Sequence, residues 1–429
     1  MRTLFVTSLF LCTLSLFVPA IFSAGFSIYE QGATAMGMAG AFTAKADNPS
    51  AIFYNPAGIS QLEDTQIAVG MTAIPPKSKM EDPYGRTWET EDQVFWIPNV
   101  YLTHHLNDDW NLGLGIFAPY GLGMDWSGEK YFVYRYLLRD VSIESIYVSP
   151  VVSYRFLDDW SVAAGALWVK SKVSYKAAID MTNVADALSA ALGTTIILDD
   201  SDMTLKGDND SGDWGFNLGV HGQIDRVHLG LSYRSKVKCG YEGNANFYVP
   251  ESGYGPAVDS IIRNYFPDTK GRTEMTMPET IAVGLGYDVT EKFYTEFDVL
   301  WMGWSSYKSL DIDFEFAGLP DVSQKKDWKD VLSYRLGLHY QATDQISVFG
   351  GVYYDTSPVP DETLDPILPD ADRYSMQIGA GYDFGNLNLR GSYMYLQFKD
   401  RETTTNYRSI NGAYESNAHM FSVQATYKF

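Results

Sequence analysis

Phe421-Ser422-Val423-Gln424-Ala425-Thr426-Tyr427-Lys428-Phe429 closes the chain with strict alternation of apolar and polar residues. Successive side chains of a strand point to opposite faces, so one face here is apolar and aromatic and the other polar. A single such strand could belong to a soluble sandwich. The dyad recurs, however, along much of the chain. Leu332, Tyr334, Leu336, Leu338 and Tyr340 oppose Ser333, Arg335, Gly337 and His339, and Tyr374, Met376, Ile378, Ala380 and Tyr382 oppose Ser375, Gln377, Gly379 and Gly381. Leu387, Leu389, Gly391, Tyr393 and Tyr395 oppose Asn388, Arg390 and Ser392, and Trp214, Phe216, Leu218 and Val220 oppose Gly215, Asn217, Gly219 and His221. Repeated dyads joined by short Asp- and Asn-bearing turns predict an all-β chain, a transmembrane antiparallel β-barrel.

About fourteen such segments begin near Gln66, Gln93, Trp110, Ile143, Trp160, Trp214, Val227, Thr273, Lys292, Trp328, Gln345, Arg373, Leu387 and Ala413. An even count puts both ends of the barrel on one side, the periplasmic one. Tight turns at 106–109, 157–159, 224–226, 289–291, 342–345 and 385–386 belong there. Long connections at 77–92, 121–141, 181–212, 250–271, 316–326, 355–372 and 401–411 belong outside, and 183–192 reads as a short amphipathic helix. Composition agrees: aromatics reach 15% while mean hydropathy is only −0.16. A lipid-facing apolar band with aromatic girdles around a polar lumen produces that balance.

The first residues predict a secretory signal over 1–23. Arg2 precedes an apolar stretch from Leu4 to Val18, Pro19 ends it, and the small residues Ser23 and Ala24 follow. At about fifteen residues the stretch falls short of the roughly 20 a spanning helix needs. Cys12 lies within it without the small residues that precede a lipidated cysteine, so only Cys239 would remain and no intramolecular disulfide could form. The net charge of −21 repels phosphate backbones and argues against nucleic-acid binding.

Residues 24–62 are expected to form an N-terminal hatch plugging the lumen of a barrel over 63–429. The segment is rich in glycine and alanine, carries apolar character at Ile52 and Phe53, and ends in Asn55-Pro56-Ala57-Gly58. It is too small-residued for a lipid-facing strand and too apolar for a loose tail.

These features together resemble the FadL/TodX-like family of outer-membrane transporters for long-chain fatty acids and small aromatic hydrocarbons. The resemblance runs from Ala24 to Phe429. It rests on Gly25-Phe26 through Asn55-Pro56-Ala57, Trp214-Gly215-Phe216-Asn217-Leu218-Gly219, Tyr233-Arg234-Ser235-Lys236-Val237, Pro278-Glu279, Trp304-Ser305, and Asp355-Thr356-Ser357-Pro358-Val359-Pro360 followed by Pro369-Asp370-Ala371-Asp372-Arg373. It implies a fourteen-stranded monomer in the outer membrane of a Gram-negative bacterium, amid lipid and lipopolysaccharide, passing hydrophobic compounds by passive diffusion. Gly25, Phe26, Asn55, Pro56 and Ala57 would gate the hatch.

No catalytic or metal constellation stands beside this reading. The six histidines are scattered, with no H-E-x-x-H and no Cys/His spacing, and no cofactor is implied. An energy-coupled receptor would carry a much larger plug and a coupling peptide, and a general porin would keep its axis open. An apolar solute needs a greasy entry outside, and residues 121–141 supply Trp126, Phe132 and Leu137 among ten apolar side chains. These would either form a capture groove or pack on themselves. Lys329 and Lys176 are similar in placement to the family's carboxylate-contacting cations, and a buried carboxylate needs such a partner. For sideways exit, Gly113, Gly115 and Pro119 load the third strand with residues that break or bulge a ladder.

Overall fold

The computed structural model describes residues 25–249, 251–316 and 318–429. The expected signal, Cys12 and Ala24 lie outside the described residues. Fourteen wall strands follow one another in sequence: β1 (Thr65–Ile74), β2 (Phe95–Asn107), β3 (Trp110–Phe117), β4 (Asp140–Leu157), β5 (Trp160–Ile179), β6 (Asp213–Ile224), β7 (Val227–Arg234), β8 (Thr280–Asp288), β9 (Phe293–Met302), β10 (Val331–Gln341), β11 (Ile346–Asp355), β12 (Arg373–Asp383), β13 (Leu387–Phe398) and β14 (Gly412–Lys428). Each pairs antiparallel with its neighbours, and β14 closes onto β1 with Gln66 opposite Lys428 and Ala73 opposite Phe421. Closure pairs the first strand with the last, so no strand is left with a whole free edge in hydrocarbon.

The wall is inverted relative to a soluble protein. On β14, Phe421, Val423 and Tyr427 are exposed, as is Phe429 just past it, while Ser422, Gln424 and Thr426 are buried. Exposed Trp110, Tyr287, Tyr340 and Tyr382 lie toward the short-turn end, and Trp96, Trp214 and Tyr374 toward the other. Two aromatic bands around an apolar belt are the signature of an interface-to-interface span.

One expected start needs correction. The segment beginning near Thr273 is not a wall strand: Thr269–Met277 leaves the wall, and β8 begins only at Thr280, past Pro278. Pro278 offers no backbone N–H to continue the ladder. Thr269–Met277 instead joins an outer sheet. There the far end of β5 pairs with Ser201–Asp208, which pairs with Val237–Tyr248, then Thr269–Met277, Ser309–Phe314 and Val322–Lys325. Two helices, Thr182–Leu192 and Pro256–Tyr265, share a small apolar core of Met181, Leu188, Val258 and Ile262.

Residues 25–62 run through the interior and are almost wholly buried. They hold only short helical elements at Ala33–Gly37, Ala51–Tyr54 and the 3-10 helix Pro56–Gln61, so most of their backbone groups need partners from elsewhere. The polar inner wall supplies them. Asp298 accepts from the backbone N–H of Phe42 and Thr43 at 3.0 Å each, and Glu296 from Ala44 and Lys45 at 2.6 and 3.0 Å. Arg335 donates to Ala39 O, Arg234 to Phe53 O, and Asn111 to Ile59 O and Leu62 O. Asn55 donates to Thr43 O and Val220 O, and its Oδ1 caps Ala57 N at 3.2 Å. Pro56 and Ala57 are buried behind it.

Candidate functional site

Among the described residues the wall has a long unpaired stretch between β2 and β3. Strands β2 and β3 pair from Val100–Ile116 downward, but Phe95 to Asn99 of β2 have no partner on that side. The chain of β3 ends its ladder at Phe117 and resumes as Gly121–Asp125, paired to β4 instead. Between them Ala118, Pro119 and Tyr120 turn inward to the N-terminal segment. Ile28 donates to Pro119 O at 2.8 Å, Gly121 to Phe26 O at 3.1 Å, and the Gln31 amide bonds both the N–H and the carbonyl of Ala118. The missing wall ladder is thus replaced by bonds to residues 26–31.

Pro119 stands in this break, but Gly113 and Gly115 do not. Both are in regular register, opposite Thr103 and Tyr101 on one side and Val151 and Ser149 on the other. They face inward, where a Cβ would stand 2.9 and 2.8 Å from Ile52. Their smallness makes room for the inner segment. The signal that sequence reasoning missed lies on the facing strand: Pro98, like Pro119, borders the gap, and proline is confined to such positions.

Two cavities adjoin at Phe26. The first, about 90 Å³, lies toward the long loops and is lined by Leu122, Ile143, Met275, Leu310, Lys326 and Asp365 among others. The second, about 570 Å³, lies behind the gap, lined by Ile97, Asn99 and Val100 of β2 and by Ile116, Phe117 and Ala118 across from them. Phe26, Leu122, Ile143 and Leu368 belong to both. The Phe26 ring is 4.6 Å from Trp304, 5.9 Å from Trp328, and within 6.4 Å of Tyr120 and Tyr307. Gly25 before it takes φ +55°, and a Cβ there would meet Trp328 at 2.8 Å.

Three cations line the first cavity, Lys206, Arg272 and Lys326, and of these only Lys326 is buried. Its Nζ is 2.8 Å from Asp365 Oδ2, and both side chains are buried. An ammonium has three donors, so two remain beyond this bond. The indole N–H of Trp328, lining the same cavity, has no partner. Lys329 does not reach this place: its side chain is exposed, three residues past Lys326 where the chain has turned outward. Lys176 also does not line the cavity and is ion-paired to Asp202 at 3.1 Å. No local feature separates Lys326 from its neighbours in sequence, because its partner is 39 residues away.

Trp126, Phe132 and Leu137 are buried rather than arrayed along an open groove. Trp126 and Phe132 stack at 4.8 Å with planes 5° apart, and the Trp126 indole donates to Pro366 O. Loop packing therefore uses the apolar stretch, and only Leu122 from it lines both cavities. Beside it in the loops, Tyr134 donates to Asn411 O, and burial holds its hydroxyl above the usual phenol range. Among the described residues there is no cluster that could hold a metal ion.

The family model described as "Outer membrane protein transport protein (OMPP1/FadL/TodX)" matches residues 15–429. The chain belongs to this family. It is an outer-membrane β-barrel of the Gram-negative type and a transporter of hydrophobic compounds. The "Long-chain fatty acid transport protein" of Escherichia coli O6:H1 is 25% identical over 459 residues, covering 100% of this chain and 99% of that one. The "47 kDa outer membrane protein" of Pasteurella multocida is 25% identical over 436 residues, covering 99% of each. Among solved structures, the Pseudomonas aeruginosa FadL homologue superposes with a TM-score of 0.81 at 23% identity, over 95% of this chain and 100% of that one. The Pseudomonas putida toluene transporter TodX follows with a TM-score of 0.72 at 16% identity, over 95% and 100%. These likenesses carry the fold of the FadL/TodX family.

Proposed function

We propose that this chain is a monomeric transporter of long-chain fatty acids that works without an energy source. Ligand enters through the extracellular loops, seats its carboxylate in the first cavity, displaces the hatch around Phe26, and leaves through the β2–β3 gap into the outer leaflet beneath lipopolysaccharide. The observation that carries the substrate is Lys326. A buried Lys–Asp pair in an apolar cavity is rarely more stabilising than apolar residues of the same volume. For a hydrocarbon ligand the pair has no use. For a carboxylate, the two spare Lys326 donors and the free Trp328 N–H supply charge-assisted hydrogen bonds.

The route is supported by the meeting of both cavities at Phe26 and by Gln31 and Ile28, which tie the same segment to the break. Movement of Phe26 would therefore pull on Ala118 and Pro119. A second reading, small aromatic hydrocarbons as cargo, is favoured by the aromatic rings around Phe26 and the modest first cavity. The two separate on one experiment. In cells lacking their own transporter, Lys326→Met should weaken oleate binding about tenfold, as expected for loss of one charged hydrogen bond, and leave toluene uptake unchanged. Equal effects on both, or none, would remove the carboxylate reading.

A further inference from the structure

Asn99 lies on the inner face of β2 where that strand borders the gap. It is 1% exposed, and neither its Oδ1 nor its Nδ2 has a hydrogen-bond partner. Among the described residues no other side-chain amide has both of its polar atoms buried and unpartnered. The position is built to hold the group. Gly70 is its cross-strand neighbour on β1, and a Cβ there would stand 2.6 Å from Asn99 Oδ1. Any larger residue at Gly70 would press on the amide. Around it the lining of the second cavity is largely apolar, with Ile97, Val100, Ile116, Phe117 and Met124; its two cations are already paired, Arg373 with Asp355 and Lys77 with Asp92, and its acids Glu30, Glu144 and Asp370 disfavour a second carboxylate.

A buried amide left unpaired destabilises the fold, and such groups in a native protein call for a missing partner. The amide offers a donor and an acceptor side by side. A carboxylate can satisfy only the donor, whereas a neutral carboxylic acid presents a carbonyl acceptor and a hydroxyl donor in the same spacing. A head group about to enter hydrocarbon must also be neutral, because an isolated carboxylate is far too costly to bury there. We infer that Asn99 is an exit subsite that receives the protonated carboxyl group of the departing acid through a paired hydrogen bond. The carboxylate takes its proton from solvent hydronium as it leaves Lys326, and a water molecule is released. This rests on the lateral route proposed above and adds to it: the first cavity selects the charged form and the second the neutral form.

The test compares wild type, Asn99→Leu and Ala118→Trp as full-chain barrels, each checked for heat-modifiable gel migration. Oleate affinity is measured on purified protein, and uptake of radiolabelled oleate and methyl oleate in cells without their own transporter. The ester has the same chain but lacks the hydroxyl donor. Asn99→Leu should slow oleate uptake about tenfold, the scale of losing buried hydrogen bonds, with oleate affinity and ester uptake unchanged. Equal slowing of acid and ester would make the amide a packing group, and no slowing would make its partner ordinary water; either overturns the inference. Ala118→Trp fills the gap and should stop both probes. If it stops neither, the lateral route fails; if it stops both while Asn99→Leu does nothing, only the subsite fails. Asn99→Ser, smaller than the native residue and unable to pair both atoms, gives the same reading if the leucine variant does not assemble.

Discussion

Ile52 presses on Gly113 and Gly115 so closely that any side chain at either would meet it below 3.0 Å. Valine suits a pleated strand, yet here its volume would have to displace the inner segment. Overpacking of this kind costs about 1–3 kcal/mol per site. Gly113→Val with Gly115→Val should therefore lower the temperature at which gel migration shifts, and Ile52→Ala should restore most of the loss. A double variant as stable as wild type would mean that the glycines are not there for Ile52. The same scale separates Lys326 from Lys329, three residues apart, since only the first is turned into the cavity with a carboxylate beside it.

At the level of elements, the inner segment and the wall are complementary in an unusual sense. Residues 42–45 have no helix or strand of their own, and four consecutive N–H groups are taken up by two carboxylates on β9. Hydrogen bonds to charged acceptors are each worth about 1.5–3 kcal/mol, roughly twice the neutral kind. Glu296→Gln with Asp298→Asn keeps the shape and halves the strength. The expected result is a folded barrel in which trypsin cuts after Lys45, a site protected in the wild type by burial of the flanking residues 42–44 and 46. Continued protection would show that apolar packing of Phe42 and Ile52 holds the segment unaided.

Taken whole, the molecule is a closed wall around a filled axis, with its free space displaced to one side. The two cavities lie above and beside Phe26, and the unpaired stretch of wall faces the second. Such a shape can pass a flexible apolar chain through the wall without offering ions a straight aqueous path. Purified protein in planar bilayers should show negligible conductance under the conditions in which general porins conduct. Porin-like steps in the wild type would contradict the filled axis directly.

The dyad repeat carried the barrel by itself. A period of two with an apolar face, sustained through the chain and punctuated by short and long connections, has few other solutions, and the short-turn positions coincide with the observed hairpins. The terminal Phe421 to Phe429 stretch showed which residues share a face, and the composition already assigned the apolar face to lipid, where the structure has it. The candidate site was less legible. Lys326 meets Asp365, Asn99 stands over Gly70, and Ala118 bonds Gln31, each pair brought together by closure of the wall around an irregular segment. Periodicity reports what a residue faces within its own strand. It is silent on which distant backbone will arrive opposite, because that depends on register and on the path of a segment with no period of its own.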